Sequence, residues 1–273
     1  MQKKQRRAHG IVLAAYFIVI LLALFFASNI TLSFLYYYSA ISIGTFQYLS
    51  TVATSFSFSV SAIIYLATTR KSKRSIVEML GLARKHLTLQ NLLIGVFLFL
   101  IIFLLEIVVG LISSVTGVQI NTNAQLLLAG APMWFLVFAS LVAPVNEETL
   151  FRGLMVPRIG IVLSAALFAV GHFTYMSTSY VPSEAVAAVS GVVAALAILV
   201  VLFKTRSWNL ALAILILALL FVTGNLGIEV IAAFIFGLLA GYIYRKTNSL
   251  YPSIVAHILV NTLTLVSTVA FII

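Results

Sequence analysis

WFLVFASLVAPVNEETLFRGLMVPRIGIVLSAALFAVGHF, residues 134–173, sets Glu147, Glu148 and Arg152 into an otherwise apolar run. The chain has only six carboxylates in 273 residues, all of them Glu, and two stand side by side here. A charge at the centre of a bilayer costs at least about 2.5–3.5 kcal/mol, so charges kept there face a cavity and have a task. Whether this stretch lies in lipid decides the fold, and the rest of the sequence answers that.

Charged residues make up 8% of the chain, against about 25% in an ordinary soluble domain. Long apolar runs recur at 10–27, 41–69, 91–113, 126–150, 160–181, 185–203, 208–223, 228–244 and 250–272. Runs of such length cross membranes, although 208–223 is short for a full crossing. The net charge of +10 would suit nucleic acid, but the basic residues sit in short clusters between the apolar runs. With the N-terminus inside, every one of the 16 Lys and Arg falls on an inside segment. Those segments are 1–9, 70–90, the stretch holding Arg152 and Arg158, the pair Lys204 and Arg206, and the pair Arg245 and Lys246. The outside loops SNITLSFLYYYS, TGVQINTNAQ, STSYVPSE and TGNLG hold none. Lys and Arg choose the cytoplasmic face. The reading is an all-α, polytopic transmembrane helix bundle of eight to nine spans with a cytoplasmic N-terminus, an integral multi-pass protein whose partner is the bilayer and not nucleic acid. Residues 1–125 form N-terminal spans with a basic cytoplasmic loop at 70–90, and residues 126–273 form the core. That loop is either a helix on the inner membrane surface or a solvated connection. The absence of Cys rules out disulfides and thiol catalysis.

Once the snorkelling cations are set aside, few polar residues remain inside the spans: Glu106, Glu147, Glu148, His172, His257 and the amide Asn261. Glu148 and Arg152 are four apart and share a helical face, whereas Glu147 lies about 100° round the axis and looks elsewhere. The plain alternative is a cytoplasmic helix end with surface charges, and these residues alone do not choose. Phe168 and His172 share a face, as do His257 and Asn261. A lone His in an apolar helix is more often structural than catalytic, and the plain reading of His257 with Asn261 is an interhelical hydrogen-bond pair. Counted from the inner helix ends, His172 and His257 differ in depth by about 7–8 Å, so the fifth span must start later, tilt, or unwind after Pro157.

Taken together, EETLFR, FAVGH and HILVN on successive late helices resemble the three motifs EExxxR, FxxxH and HxxxN of the CAAX-protease and bacteriocin-processing family. These are the type II CAAX prenyl endopeptidases, also called the abortive-infection family. The resemblance covers about 126–266 and matches at all six motif positions. It implies an intramembrane endopeptidase with a site opening toward the cytoplasm and a peptide or protein substrate, prenylated or not. Glu147 would be the catalytic carboxylate and His172 its partner in activating water. His257 and Asn261 would stabilise the oxyanion, with Glu148, Arg152 and Phe168 in support. No cofactor is expected, and zinc, though it takes three protein ligands and a water, is not favoured. Without Asp there is no aspartyl dyad, and neither H-E-x-x-H nor a G-x-S-G nucleophile motif occurs. The rivals are a catalytically silent scaffold or immunity protein of the same fold, and an ion-coupled transporter using Glu106 and Glu229.

Overall fold

A computed structural model describes residues 2–69, 74–116, 131–172, 184–222 and 228–270. The described residues are helical and include no strand. The long helices are α1 (Gln2–Tyr37), α2 (Ile43–Thr69) and α3 (Leu89–Thr116). A composite helix α4 follows over 133–159, then α5 (Ile161–Gly171), α6 (Glu184–Thr205), α7 (Trp208–Val222), α8 (Ile228–Thr247) and α9 (Tyr251–Ala270). These helices are apolar nearly all round, with no charged face of the kind a soluble surface helix presents, and a helix of that kind is buried or in lipid. Among the described residues, four stretches are long and apolar enough to cross a membrane: Tyr16–Tyr37, Ile43–Thr69, Leu89–Val108 and Val230–Thr247. The chain is a multi-pass membrane protein.

α4 runs through the middle, packed on α2, α5 and α9. α3 backs α9, α8 lies on α5, α6 pairs with α7, and α1 pairs with α2. Residues from both halves of the chain share one core, among them Tyr65, Leu98, Leu150, Phe168 and Ile254.

Two prolines shape α4. It is α-helical over Met133–Val137, π-helical over Phe138–Val142, α-helical over Ala143–Glu148, π-helical over Thr149–Met155 and α-helical again over Val156–Ile159. Pro144 and Pro157 each follow a π stretch closely. Proline has no N–H, and its ring pushes against the carbonyl four residues back. The wider π turn gives that carbonyl room, which is how helices absorb such a defect. α4 therefore runs on through Pro157 and breaks at Gly160, whose φ of 87° suits glycine.

Several sequence boundaries change. The stretch between 150 and 160, read as an inside connection, is helix up to Ile159, and Arg152 sits in the packed core and not in a connection: it is 1% exposed. Most of SNITLSFLYYYS, read as an outside loop, continues α1 to Tyr37. The fifth helix is shorter than 160–181, and His172 caps its C-terminus. Of the later start, the tilt and the unwinding after Pro157 left open for the fifth span, the backbone shows a break at Gly160, just past Pro157, with the next helix starting at Ile161. The other outside segments, over 117–130, 173–183 and 223–227, lie outside the described residues, as do 70–73 and the side chain of Glu229.

The rest of the 70–90 loop is a connection wedged against the bundle. Ser75 caps a single turn, Ile76–Met79, by accepting from Glu78 N at 3.2 Å. Leu80 is buried and faces Gly153 and Leu250. Leu250 N donates to Gly81 O at 3.1 Å, and Tyr251 Oη donates to Leu82 O at 2.9 Å. Gly81 has φ 75°, and a Cβ there would meet Asn248 O at 2.6 Å. Glycine is required on both counts.

Candidate active site

The second π turn carries the charged motif into the core. Glu148 is wholly buried, and its Oε1 accepts from Arg152 Nη1 at 2.8 Å. The same oxygen accepts from His257 Nδ1 at 2.9 Å across the α4–α9 interface. An ionised carboxylate can only accept, so the proton of this bond rides on Nδ1. Nε2, the other ring nitrogen, faces Glu147 Oε2 at 3.8 Å, beyond direct hydrogen-bond range. The Glu147 side chain is 21% exposed where that of Glu148 is 0%. The two adjacent carboxylates thus meet opposite edges of one imidazole. One is locked into a buried pair and the other is open.

His172 comes in from the end of α5. Its Nδ1 lies 2.9 Å from Phe168 O. A carbonyl accepts, so Nδ1 carries the proton and Nε2 is left as an acceptor. The ionisable groups around His172 are Glu147, His257 and Arg152. Phe168 stands between these parts: its ring centroid is 4.6 Å from the His172 ring, 5.7 Å from His257 and 4.1 Å from Arg152 Cζ.

Asn261 is one turn beyond His257, and its Nδ2 donates to Ala139 O at 3.0 Å. The reason lies in the first π turn. There Ala143 N–H bonds Phe138 O, so the next donor in that register is residue 144, a proline without an N–H. Ala139 O is left without its backbone donor, and Asn261 supplies one. Of the two Nδ2 hydrogens, one is committed to this repair.

Sequence reasoning did not find several contributors. Phe236 of α8 stacks beside both Arg152 and His257, at 5.0 and 5.1 Å. Asn146 Nδ2 donates to Ser55 Oγ of α2 at 3.1 Å, next to Glu147 in the chain. Ser164 of α5 donates to Phe151 O at 2.7 Å within the second π turn. The only available signal was their setting, a polar or aromatic residue in an apolar helix, which many other positions share. Glu106, the carboxylate of the transporter reading, is exposed on α3 and has no ion pair among the described residues. Among those residues no cluster of three His, Cys, Asp or Glu side chains is arranged to hold a metal ion.

The site thus offers an open carboxylate, two imidazoles with a spare nitrogen, an amide with a spare hydrogen, and a buried ion pair beneath them. That set can activate water and receive an oxyanion. Residues 129–207 and 196–263 match the family described as Type II CAAX prenyl endopeptidase Rce1-like. No curated protein and no solved structure matches the chain.

Proposed function

Since the chain belongs, through residues 129–263, to the Rce1-like type II CAAX prenyl endopeptidases, we propose that it hydrolyses a peptide bond of a membrane-associated substrate with water activated by Glu147. The observation that carries this is the imidazole of His257, held by Glu148 on Nδ1 and turning Nε2 toward the open carboxylate.

Glu147 takes a proton from a water held between it and the spare nitrogen of His172, and the water oxygen adds to the scissile carbonyl. With a proton on Nε2, His257 donates to the oxyanion that develops, and the free hydrogen of Asn261 Nδ2 is the second donor. Such donors are worth about 3–4 kcal/mol each where water is excluded. Collapse of the intermediate breaks the C–N bond, and Glu147 returns its proton to the leaving amine. A positioned base of this kind contributes about 10²–10⁴-fold. With Glu147 protonated and His257 carrying both protons, Glu148, Arg152, His257 and the oxyanion sum to no net charge, the least costly arrangement in a low-dielectric site. No metal is needed by this route.

The site opens toward the cytoplasm. His257 is six residues past the start of α9 at Tyr251, about 9 Å along the helix, and the connections at that end hold the Lys and Arg residues. The substrate is a peptide or protein segment at the inner membrane face, prenylated at a CAAX-like C-terminus. The test is purified protein in detergent with paired prenylated and unprenylated peptides, wild type beside Glu147→Ala. Cleavage of the prenylated peptide by wild type alone is expected. Equal cleavage by Glu147→Ala, or none by wild type on any peptide, would refute the reading.

A further inference from the structure

Arg152 is the group with most left unmet. Its side chain is 1% exposed, and among the described residues Nη2 has no hydrogen-bond partner. Glu148 Oε2 is buried and equally unpartnered. What surrounds the rest of the guanidinium is aromatic. Cζ lies 4.1 Å from the centroid of Phe168 and 5.0 Å from that of Phe236, and the two centroids are 5.9 Å apart. Those lengths set the rings at slightly less than a right angle as seen from Cζ, so they wall the cation on two sides. The face of an aromatic ring is electron-rich and attracts a desolvated guanidinium. Phe168 belongs to the FxxxH pattern, but Phe236, in FIFG at 234–237, belongs to none.

Phe236 has a second contact. Its ring lies 5.1 Å from that of His257, tilted by 58°. It therefore touches both groups that donate to Glu148 Oε1. We propose that Phe236 is a positioning residue for the site: its face holds the Arg152 guanidinium in place, and through it keeps Glu148 Oε1 on His257 Nδ1. An aliphatic side chain would fill the space but offer the cation nothing to rest on. Arg152 then turns toward another acceptor, Glu148 follows it, and the 2.9 Å bond to Nδ1 opens. The proton on an imidazole is set by the bond its other nitrogen makes, so the freed ring shifts to a mixture of tautomers and Nε2 loses its defined role. Phe236 touches no substrate in this scheme.

The proposal rests on the endopeptidase reading only for its consequence in turnover, so its primary readout is independent of cleavage. Full-length protein labelled with ¹⁵N-histidine is observed by NMR in detergent at a pH where imidazoles are neutral. The His257 signal is identified by its loss in His257→Gln. Wild type and Phe236→Tyr should show one tautomer, protonated on Nδ1. Phe236→Leu should show a mixture, with turnover reduced toward about 100-fold, the scale of a misplaced catalytic group. Trifluorophenylalanine at 236 keeps the ring's volume and weakens its face, so the mixture should appear there too with folding preserved. In an Arg152→Met background Phe236→Leu should change the tautomer no further. A single Nδ1-protonated form in both the Leu and the trifluoro variants would overturn the proposal, as would an undiminished effect of Phe236→Leu without Arg152. If wild type cleaves nothing while the tautomers behave as described, the endopeptidase reading falls and the positioning role stands.

Discussion

Glu148 Oε1 receives Arg152 at 2.8 Å and His257 at 2.9 Å, and this double acceptance separates the fates of the two glutamates. Glu147→Gln preserves size and hydrogen bonding but cannot take a proton, so turnover should fall at least about 100-fold with the melting temperature unchanged. Glu148→Gln leaves Arg152 buried without its charge partner. Breaking a buried pair from one side costs about 3–5 kcal/mol, so the drop in melting temperature should exceed that of any other single change in the motif. Glu148→Gln with Arg152→Gln should recover part of it. A Glu148→Gln protein that is inactive but melts as wild type would reverse the roles. Peptidase activity should survive dialysis against a chelator, because in the proposed route Glu147 and His172 activate the water and His257 donates to the oxyanion, which leaves no step to a metal. Activity lost on metal removal and restored by zinc would replace that route. The spacing of Glu148 and Arg152 made their pairing legible in the sequence. The partner of His257 was not, because hydrogen bonds between helices depend on rotations and depths that one-dimensional spacing does not contain.

At the scale of the element, α4 bends a rule that the sequence reading took as given. Ideal α geometry left His172 and His257 at different depths, and the widened turns of α4 with the break at Gly160 depart from the geometry that sum assumed. The prolines were visible, but the widened turns before them were not, since a π turn has no side-chain pattern of its own. The first of these turns makes a sharp prediction. Asn261→Leu removes the donor to Ala139 O and should cost about 1–3 kcal/mol, the scale of a buried polar group left unmet. Pro144→Ala restores a backbone N–H at the position able to reach that carbonyl. Asn261→Leu should therefore destabilise less in a Pro144→Ala background than in wild type, measured by melting temperature in one detergent. Equal losses in the two backgrounds would show that Asn261 is not repairing the turn.

For the whole molecule, composition and the placement of positive charge made the helical membrane architecture legible, while the helix neighbours came only from packing. Reporters fused after residues 40, 120 and 180 should read outside, and after 78, 205 and 247 inside, because the Lys and Arg residues segregate that way. A cytoplasmic reading at 120 would invert the bundle and the site with it. Within the bundle, the clasp of Tyr251 on Leu82 joins residues 169 apart in sequence. Chains emerge from the ribosome N-terminus first, and closing so long a span carries an entropic cost until the far end arrives. Both glutamates and Arg152 are thus made long before the imidazole that meets them. Until α9 inserts, the 74–88 connection lacks its anchor on Tyr251 and the proposed site lacks His257 and Asn261. Synthesis itself becomes a timer: a chain stalled short of α9 carries the carboxylates but not the assembled site, so the proposed hydrolysis waits until the last helix has arrived.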